Sequence, residues 1–255
     1  MSSAGDYAYD DVFFASIERG SRRSAEVIVP LVMRAPAPRS VLDVGCGRGA
    51  WLAVWRAHGV EGHGVDGAYV DPRALLIPAD RFTAVDLARP FALARRFDLV
   101  QCLEVAEHLP PEAARDLVTS LCAHADFVLF SAAPPGQGGE HHVNERPYGY
   151  WRALFAEHGY ELCDPYRGAL AEAREVEPWY RYNTFLYVQS ARVTGELVAA
   201  RVPEGEEPRD VAPPLYRLRR RAVGLLPVSA MTAIAQLKKH LVVRMRQARS
   251  YAKNR

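Results

Sequence analysis

Ser40-Val41-Leu42-Asp43-Val44-Gly45-Cys46-Gly47-Arg48-Gly49 runs from a strand into a glycine turn. Val41, Leu42 and Val44 form a short apolar run of the kind that makes a buried strand, and it breaks into three glycines at alternate positions. Trp51, Leu52, Val54 and Trp55 follow at helical spacing. Glycines at such a strand-to-helix turn let the backbone bend tightly and approach a ligand, because no Cβ stands in the way. Two further strands end on an acid in the same manner, at Val65-Asp66-Gly67 and at Ala84-Val85-Asp86-Leu87.

A dinucleotide fingerprint would read G-x-G-x-x-G, with a helix N-terminus aimed at a pyrophosphate. Here the spacing is G-x-G-x-G, and Asp43 stands two residues before the first glycine. A carboxylate in that place repels a pyrophosphate but suits a cation carrying an ammonium and a sulfonium. An ordinary turn would explain the glycines alone, but not three acid-tipped strands in series. S-Adenosylmethionine is therefore the expected cofactor.

The same residues, together with Gly64-Val65-Asp66-Gly67, Asp86-Leu87 and the run Phe97-Asp98-Leu99-Val100-Gln101-Cys102-Leu103-Glu104-Val105-Ala106-Glu107-His108-Leu109-Pro110, resemble the successive motifs of class I S-adenosylmethionine-dependent methyltransferases. The resemblance runs from about Ser40 to Gln189. It implies a Rossmann-like α/β fold, with a seven-stranded, mostly parallel sheet covered by helices on both faces. It also implies that Gly45, Gly47 and Gly49 pass under the methionine and ribose, that Asp66 binds both ribose hydroxyls, and that Asp86 with Leu87 holds the adenine edge. Asp43, Cys46, Gly67 and Leu103 complete the expected cofactor-binding set.

At 255 residues the chain can bury one sizeable core and carry an appendage. Its 49% hydrophobic and 24% charged content excludes a disordered or collagenous chain. No run of ~18 apolar residues suggests a membrane-spanning helix. The opening residues Met1 to Tyr7 lack the basic and apolar regions of a signal peptide, and Cys46, Cys102, Cys122 and Cys163 contain no C-x-x-C pair. Buried thiols in a reducing cytoplasm are the expectation.

Alternation of strand and helix from 41 to 131 predicts a parallel sheet with right-handed crossovers. The expected strands are 41–44, 61–65, 81–85, 97–103 and 126–131, with helices over 49–58 and 111–123. A helix over Arg146 to His158 and two last strands near 160–163 and 182–189 complete the domain. Pro72 and Pro78 make 67–80 a loop, and Pro134-Pro135-Gly136-Gln137-Gly138-Gly139 is another. The expected division is an N-terminal helical cap over 1–38, a cofactor-binding domain over 39–192, a linker over 193–214 and a basic amphipathic tail over 215–255. Tyr7, Tyr9, Phe13 and Phe14 in the cap are read as helix packing, with a lid as the alternative.

Methyl transfer is a displacement at a sulfonium carbon, so the protein must orient the reactants and manage the acceptor's proton. Groups able to do so should stand at the ends of the fourth and fifth strands. Glu104-x-x-Glu107-His108 leaves the fourth strand, and Glu140-His141-His142-Val143-Asn144-Glu145-Arg146 lies in the loop after the fifth. Carboxylates and imidazoles converging there suit a divalent ion with open positions for substrate oxygens. The arrangement is similar to that of small-RNA 2′-O-methyltransferases and ubiquinone-pathway O-methyltransferases, which carry E-x-x-E-H and a later histidine. That likeness implies Mg²⁺ or a related divalent cation on Glu104, Glu107, His108 and His142. Without a metal, His142 or His108 is the expected general base. The plainer alternative has Glu104 lining the cofactor pocket while Glu107 and His108 bond the chain before Pro110. Trp179-Tyr180-Arg181-Tyr182-Asn183 is a candidate wall of the acceptor pocket.

Pro135-Gly136-Gln137-Gly138-Gly139, His142-Val143-Asn144-Glu145 and Tyr150-Trp151 also resemble bacterial methyltransferase-domain proteins, many encoded near glycosyltransferases. This implies O-methylation of a sugar, a glycan or another small hydroxylated acceptor. Two alternatives stand beside it: 2′-O-methylation of an RNA 3′-terminal ribose, and a non-catalytic cofactor-binding adaptor at a membrane. Leu215 to Arg255 holds eleven Lys and Arg and no acid, with Met231, Ile234, Leu241, Met245 and Ala248 at helical spacing. An anionic surface, most simply the inner membrane leaflet, is the expected partner of this tail, with docking on the acidic catalytic domain as the alternative. Nucleic acid fits less well, because Tyr216 and Tyr251 are the tail's only aromatics.

Overall fold

The computed structural model describes residues 11–237. Tyr7 and Tyr9, the side chains of Phe13 and Phe14, and the tail positions Leu241, Met245 and Ala248 lie outside the described residues. The chain runs α1 (Asp11–Val32), β1 (Ser40–Val44), α2 (Ala50–Ala57), β2 (Glu61–Asp66), β3 (Phe82–Ala84), β4 (Leu99–Leu103), α3 (Ala114–His124) and β5 (Phe127–Ser131). It continues through α4 (Tyr148–Ala156), β6 (Tyr160–Cys163), α5 (Arg167–Leu170), α6 (Pro178–Asn183), β7 (Phe185–Gln189), α7 (Glu196–Ala199) and α8 (Pro214–Val223). A last helix, α9, begins at 228 and continues to 237.

The seven strands form one sheet in the order β3-β2-β1-β4-β5-β7-β6. β1 to β5 pair in parallel, while β7 lies antiparallel to both β5 and β6. Strand order turns about the β1–β4 pair, so the loops at their carboxyl ends diverge and leave a crevice there.

Alternation along each strand feeds two cores. Leu42, Val100, Val128 and Phe130 face Leu117, Leu121, Trp151 and Phe155 of α3 and α4. Val41, Leu99 and Leu129 face Ile28, Val29, Leu52 and Trp55 of α1 and α2. Trp55 and Trp151 are essentially fully buried, and loss of either ring would cost about 3–5 kcal/mol. All four cysteines are buried and free, as thiols in apolar surroundings should be.

Three boundaries differ from the sequence reading. The interval 67–80 contains two short 3-10 turns, Pro72–Ala74 and Ala79–Arg81, each bounded by one of the prolines that suggested a loop. The last strand starts at Phe185, because Pro178 opens α6 and a proline at the first helical position lacks only a donor that would be idle anyway. The stretch 193–214, a linker by composition, is fastened along its length. Arg152 donates to the carbonyls of Val202, Pro203 and Glu206, and Arg167 to that of Arg209. Val202 N also donates to Leu162 O, extending the pairing at the β6 edge. Buried or half-buried arginines more than forty residues away hold the strap, so its own polar composition carries no sign of it.

Candidate active site

At the carboxyl ends of β1, β2, β4 and β5 lies a cleft of about 1120 Å³. One half is a shelf of strand ends. Gly45, Gly47 and Gly49 all take positive φ, and a Cβ on Gly45 would stand 2.3 Å from the Val105 side chain. That position admits only glycine if β1 and the loop after β4 are to meet. Asp66 ends β2 buried, its Oδ2 accepting from Gly47 N (2.6 Å) and its Oδ1 from Gly67 N (2.7 Å) and the Tyr69 hydroxyl (2.5 Å). Burial raises its pKa, against the opposing effect of these three donors.

Beneath the shelf runs a buried polar chain. Trp55 Nε1 donates to Gln101 Oε1 (3.0 Å), and Gln101 Nε2 donates to Asp43 Oδ1 (3.0 Å). Asp43 Oδ2 is buried without a partner. Burial pushes the Asp43 carboxyl up to about 7; the Gln101 bond lowers it and the Asp66 charge adds to the rise. Asp86 is exposed at the far rim, accepting from Ala88 N (3.0 Å) and pairing with Arg89 (3.3 Å), while Leu87 beside it is buried. Asp43, Gly45, Cys46, Gly47, Asp66, Gly67, Asp86, Leu87 and Leu103 all line the cleft. Gly49 does not: it stands as the left-handed N-cap of α2, one step behind the wall.

The other half is built by the loops after β4 and β5. Glu104 takes a left-handed backbone (φ 56) as β4 ends, a conformation costing about 1–3 kcal/mol in a non-glycine residue. Its N–H is held by Ser131 O (3.0 Å) and Ser131 Oγ (3.1 Å). Its carboxylate accepts from Gln137 Nε2 (2.6 Å) and, more weakly, from Asn183 Nδ2 (3.5 Å), while Gln137 Oε1 accepts from Asn183 Nδ2 (2.7 Å). Glu107 is fully buried and neither carboxylate oxygen accepts a hydrogen bond of normal geometry; the backbone N–H groups of Glu107 and Ala133 offset its burial only weakly. Burial, followed by the Glu104 charge, drives its pKa well above the ordinary range. Burial, followed by the charge of His142, drives His108 well below its own.

The imidazoles of His108 and His142 meet edge to face at 4.8 Å between centroids. His142 Nδ1 lies 2.9 Å from Glu145 Oε1, and the same carboxylate accepts from Gly136 N (2.7 Å) and Gly138 N (2.8 Å). Glu145 thus knits the loop after β5 and sets the His142 ring at one stroke. Gly139 is required for that placement, since a Cβ there would fall 2.0 Å from His142 Nε2.

Glu107, His108 and His142 each offer a ligand atom, all within 4.8 Å of one another. Two imidazoles and a weakly supported carboxylate suit a borderline or hard divalent cation, and three ligands would leave positions open. The Nδ1 bond of His142 to Glu145 is of the kind that would orient the imidazole toward a metal. The fourth expected ligand, Glu104, falls outside this group, because Gln137 and Asn183 bind its oxygens. The backbone N–H of the neighbouring His141 donates to Thr232 Oγ1 (3.3 Å) in α9.

Glu177, Trp179 and Tyr180 form a side wall with Glu18 and Ser21 of α1, and Tyr180 packs edge-on against Trp51 at 5.2 Å. Sequence reasoning missed Gln137, Asn183, Glu145 and Tyr69. The first three sat inside motifs singled out for other members, and Tyr69 carried no signal. The tail's Met231–Ile234 face, expected first on a membrane, follows the alternative of docking on the catalytic domain: Arg219, Val223, Leu226, Met231, Ile234 and Ala235 of the C-terminal segment roof the same cleft.

A family model described as a methyltransferase domain matches residues 17–169. Among solved structures, the magnesium protoporphyrin IX methyltransferase of Synechocystis PCC 6803 with bound S-adenosylmethionine is 23% identical, with a TM-score of 0.51, over 73% of this chain and 87% of that one. The sugar N-methyltransferase KedS8 from Streptoalloteichus sp. ATCC 53650 is 20% identical, with a TM-score of 0.54, over 74% and 96%. The amino pentose methyltransferase CalS10 from Micromonospora echinaspora, also with bound S-adenosylmethionine, is 18% identical, with a TM-score of 0.50, over 72% and 99%. No curated protein matches the chain.

Proposed function

The chain belongs to the methyltransferase-domain family, and we propose that it transfers the methyl group of S-adenosylmethionine to a hydroxyl of a sugar, a glycan or a similar acceptor carrying a vicinal diol. The observation that carries this reading is one cleft with two chemistries. The glycine-and-acid shelf stands at one end, and the Glu107, His108 and His142 cluster at the other. On the shelf, Asp66 would take the ribose diol, one hydroxyl replacing that of Tyr69, and the partnerless Asp43 Oδ2 marks where positive charge on the cofactor is welcome. Trp179 and Tyr180 offer aromatic faces to the apolar side of a sugar ring.

In the transfer, the acceptor oxygen forms a bond to the methyl carbon as the carbon–sulfur bond breaks, and the hydroxyl proton must leave. The residues fit a divalent cation held by Glu107, His108 and His142, which would lower the pKa of a hydroxyl it binds. Glu104 then orients the site through Gln137 and Asn183 without joining the ligands. One observation favours a metal-free variant of the same reaction. With Nδ1 bonded to Glu145, Nε2 would be the atom of His142, a cleft-lining residue, left to take the acceptor's proton, as in His–carboxylate pairs.

The test is a radiolabel-transfer assay with S-adenosylmethionine and a panel of sugars and nucleotide sugars, with and without exhaustive chelation. Expected is a product heavier by one methylene, attached at oxygen, with turnover lost on chelation and restored by Mg²⁺ or Mn²⁺. Undiminished turnover after chelation removes the metal, and methylation at nitrogen removes the hydroxyl acceptor.

A further inference from the structure

The helices that roof the cleft have two working faces. On the inner side of α8, Tyr216 packs on Tyr182 at 5.2 Å, Arg220 pairs with Asp210 at 2.6 Å, and Arg219 reaches the Gln137 carbonyl at 3.4 Å. The fit is close: a Cβ on Gly136 would stand 2.0 Å from Arg220 O, so α8 rests directly on the loop after β5. This segment is therefore anchored, and its orientation is set.

Its outer side is left apolar. Leu215, Leu218 and Leu225 are 78%, 62% and 87% exposed. Leu215, Leu218 and Ala222, also exposed, recur at intervals of three and four residues, one stripe along α8, and Leu225 stands exposed in the turn just beyond its end. Arg217 and Arg221 flank that stripe, and Leu237 continues the exposure on α9. Of the ten large hydrophobic residues that stand exposed among the described residues, seven follow position 214; Leu226 and Ile234 line the cleft, and Leu215, Leu218, Leu225, Val228 and Leu237 are left outside it, a concentration and not scatter. From 215 to 255 the sequence holds eleven cations and no acid.

We propose that this outer face docks on an anionic lipid surface, with α8 lying in the plane of the headgroups. Leucines flanked by arginines match a surface whose boundary is negative and whose interior is apolar. A second copy of the chain would bring the same uncompensated positive charge against itself. A nucleic acid would satisfy the arginines and leave the leucine stripe in water. No helix among the described residues is long and apolar enough to cross a membrane, so contact is along the surface. Because the same segment roofs the cleft, docking would set the cleft mouth at the headgroups. That consequence rests on the function proposed above; the docking does not.

Vesicle flotation of the full-length protein tests the proposal without any turnover. Expected is flotation with vesicles of phosphatidylcholine and phosphatidylglycerol, weakened by salt, and none with phosphatidylcholine alone. The triple variant L215S/L218S/L225S should partition about tenfold less or weaker still, and R217E/R221E should lose the preference for anionic lipid, both with wild-type circular dichroism. Failure of the wild type to float with anionic vesicles overturns the proposal, as does flotation of the leucine variant equal to wild type. So does a result in which the leucine variant changes only a dimer into a monomer by light scattering, or in which the wild type binds RNA and not vesicles.

Discussion

The two halves of the cleft treat their carboxylates in opposite ways. On the β1–β3 shelf, Asp66 is buried but meets two backbone N–H groups and a phenol, and Asp43 has a glutamine for one oxygen. In the β4–β5 half, Glu104 is served by side-chain amides, and Glu107, more deeply buried than any of these, has no hydrogen bond of normal geometry and only weak support from the backbone of Glu107 and Ala133. A carboxylate tied to backbone amides keeps its place whether or not a ligand is present. A buried carboxylate short of donors is a standing cost of about 1–3 kcal/mol or more, tolerated where a ligand supplies the missing partner. The shelf carboxylate is held by backbone amides, and the cluster carboxylate has no such support.

The largest expected effect separates these two roles at Glu107. Glu107→Gln should lower turnover about 10²–10⁴-fold, whereas the unliganded protein should melt no lower, because burial and the Glu104 charge already favour the neutral form of Glu107, which glutamine copies in shape and charge. Stopped turnover with unchanged or raised melting temperature is the signature of a functional carboxylate; a large drop in melting temperature would make Glu107 a packing residue. Next is the shelf. Asp66→Ala should weaken S-adenosylmethionine binding by about 1–3 kcal/mol in calorimetry, leaving any metal affinity of the other half untouched. Equal damage to both ligands would dissolve the comparison into one cooperative site.

A third effect is a pH slope. The Asp43 carboxyl titrates at 3.8 in an unfolded chain and is pushed up to about 7 by burial in the folded one. Across that window the folded state holds the extra proton, so this group's contribution to stability declines as pH rises and levels off above about 7. Asp43→Asn should flatten that part of the melting profile, and a slope unchanged between mutant and wild type would place the cause elsewhere.

The contrast between the halves also governs what could be read beforehand. Asp43, Gly45, Gly47, Asp66, Asp86 and Leu87 were legible because they sit at strand ends where backbone geometry dictates residue type, and their separations along the chain follow the crossovers. Glu107, His108 and His142 were found as residue types in two loops, but their convergence within 4.8 Å is a product of how those loops cross. The displacement of Glu104 from that group depended on Gln137 and Asn183, thirty-three and seventy-nine residues further on.

By itself, the sequence determined the strand–helix alternation, the turn at Gly45 to Gly49 and the acids at three strand ends, because each follows from local periodicity or from the absence of a Cβ. It likewise determined the basic, acid-free tail. Only tertiary structure decided that the polar stretch after Val193 is strapped down by Arg152 and Arg167, and that α8 faces the loop after β5 through Tyr216 and Arg220 while turning Leu215 and Leu218 outward. An amphipathic pattern states that a helix has two unlike faces, but which one is covered depends on partners supplied from elsewhere in the chain, here Tyr182, Asp210 and Gly136.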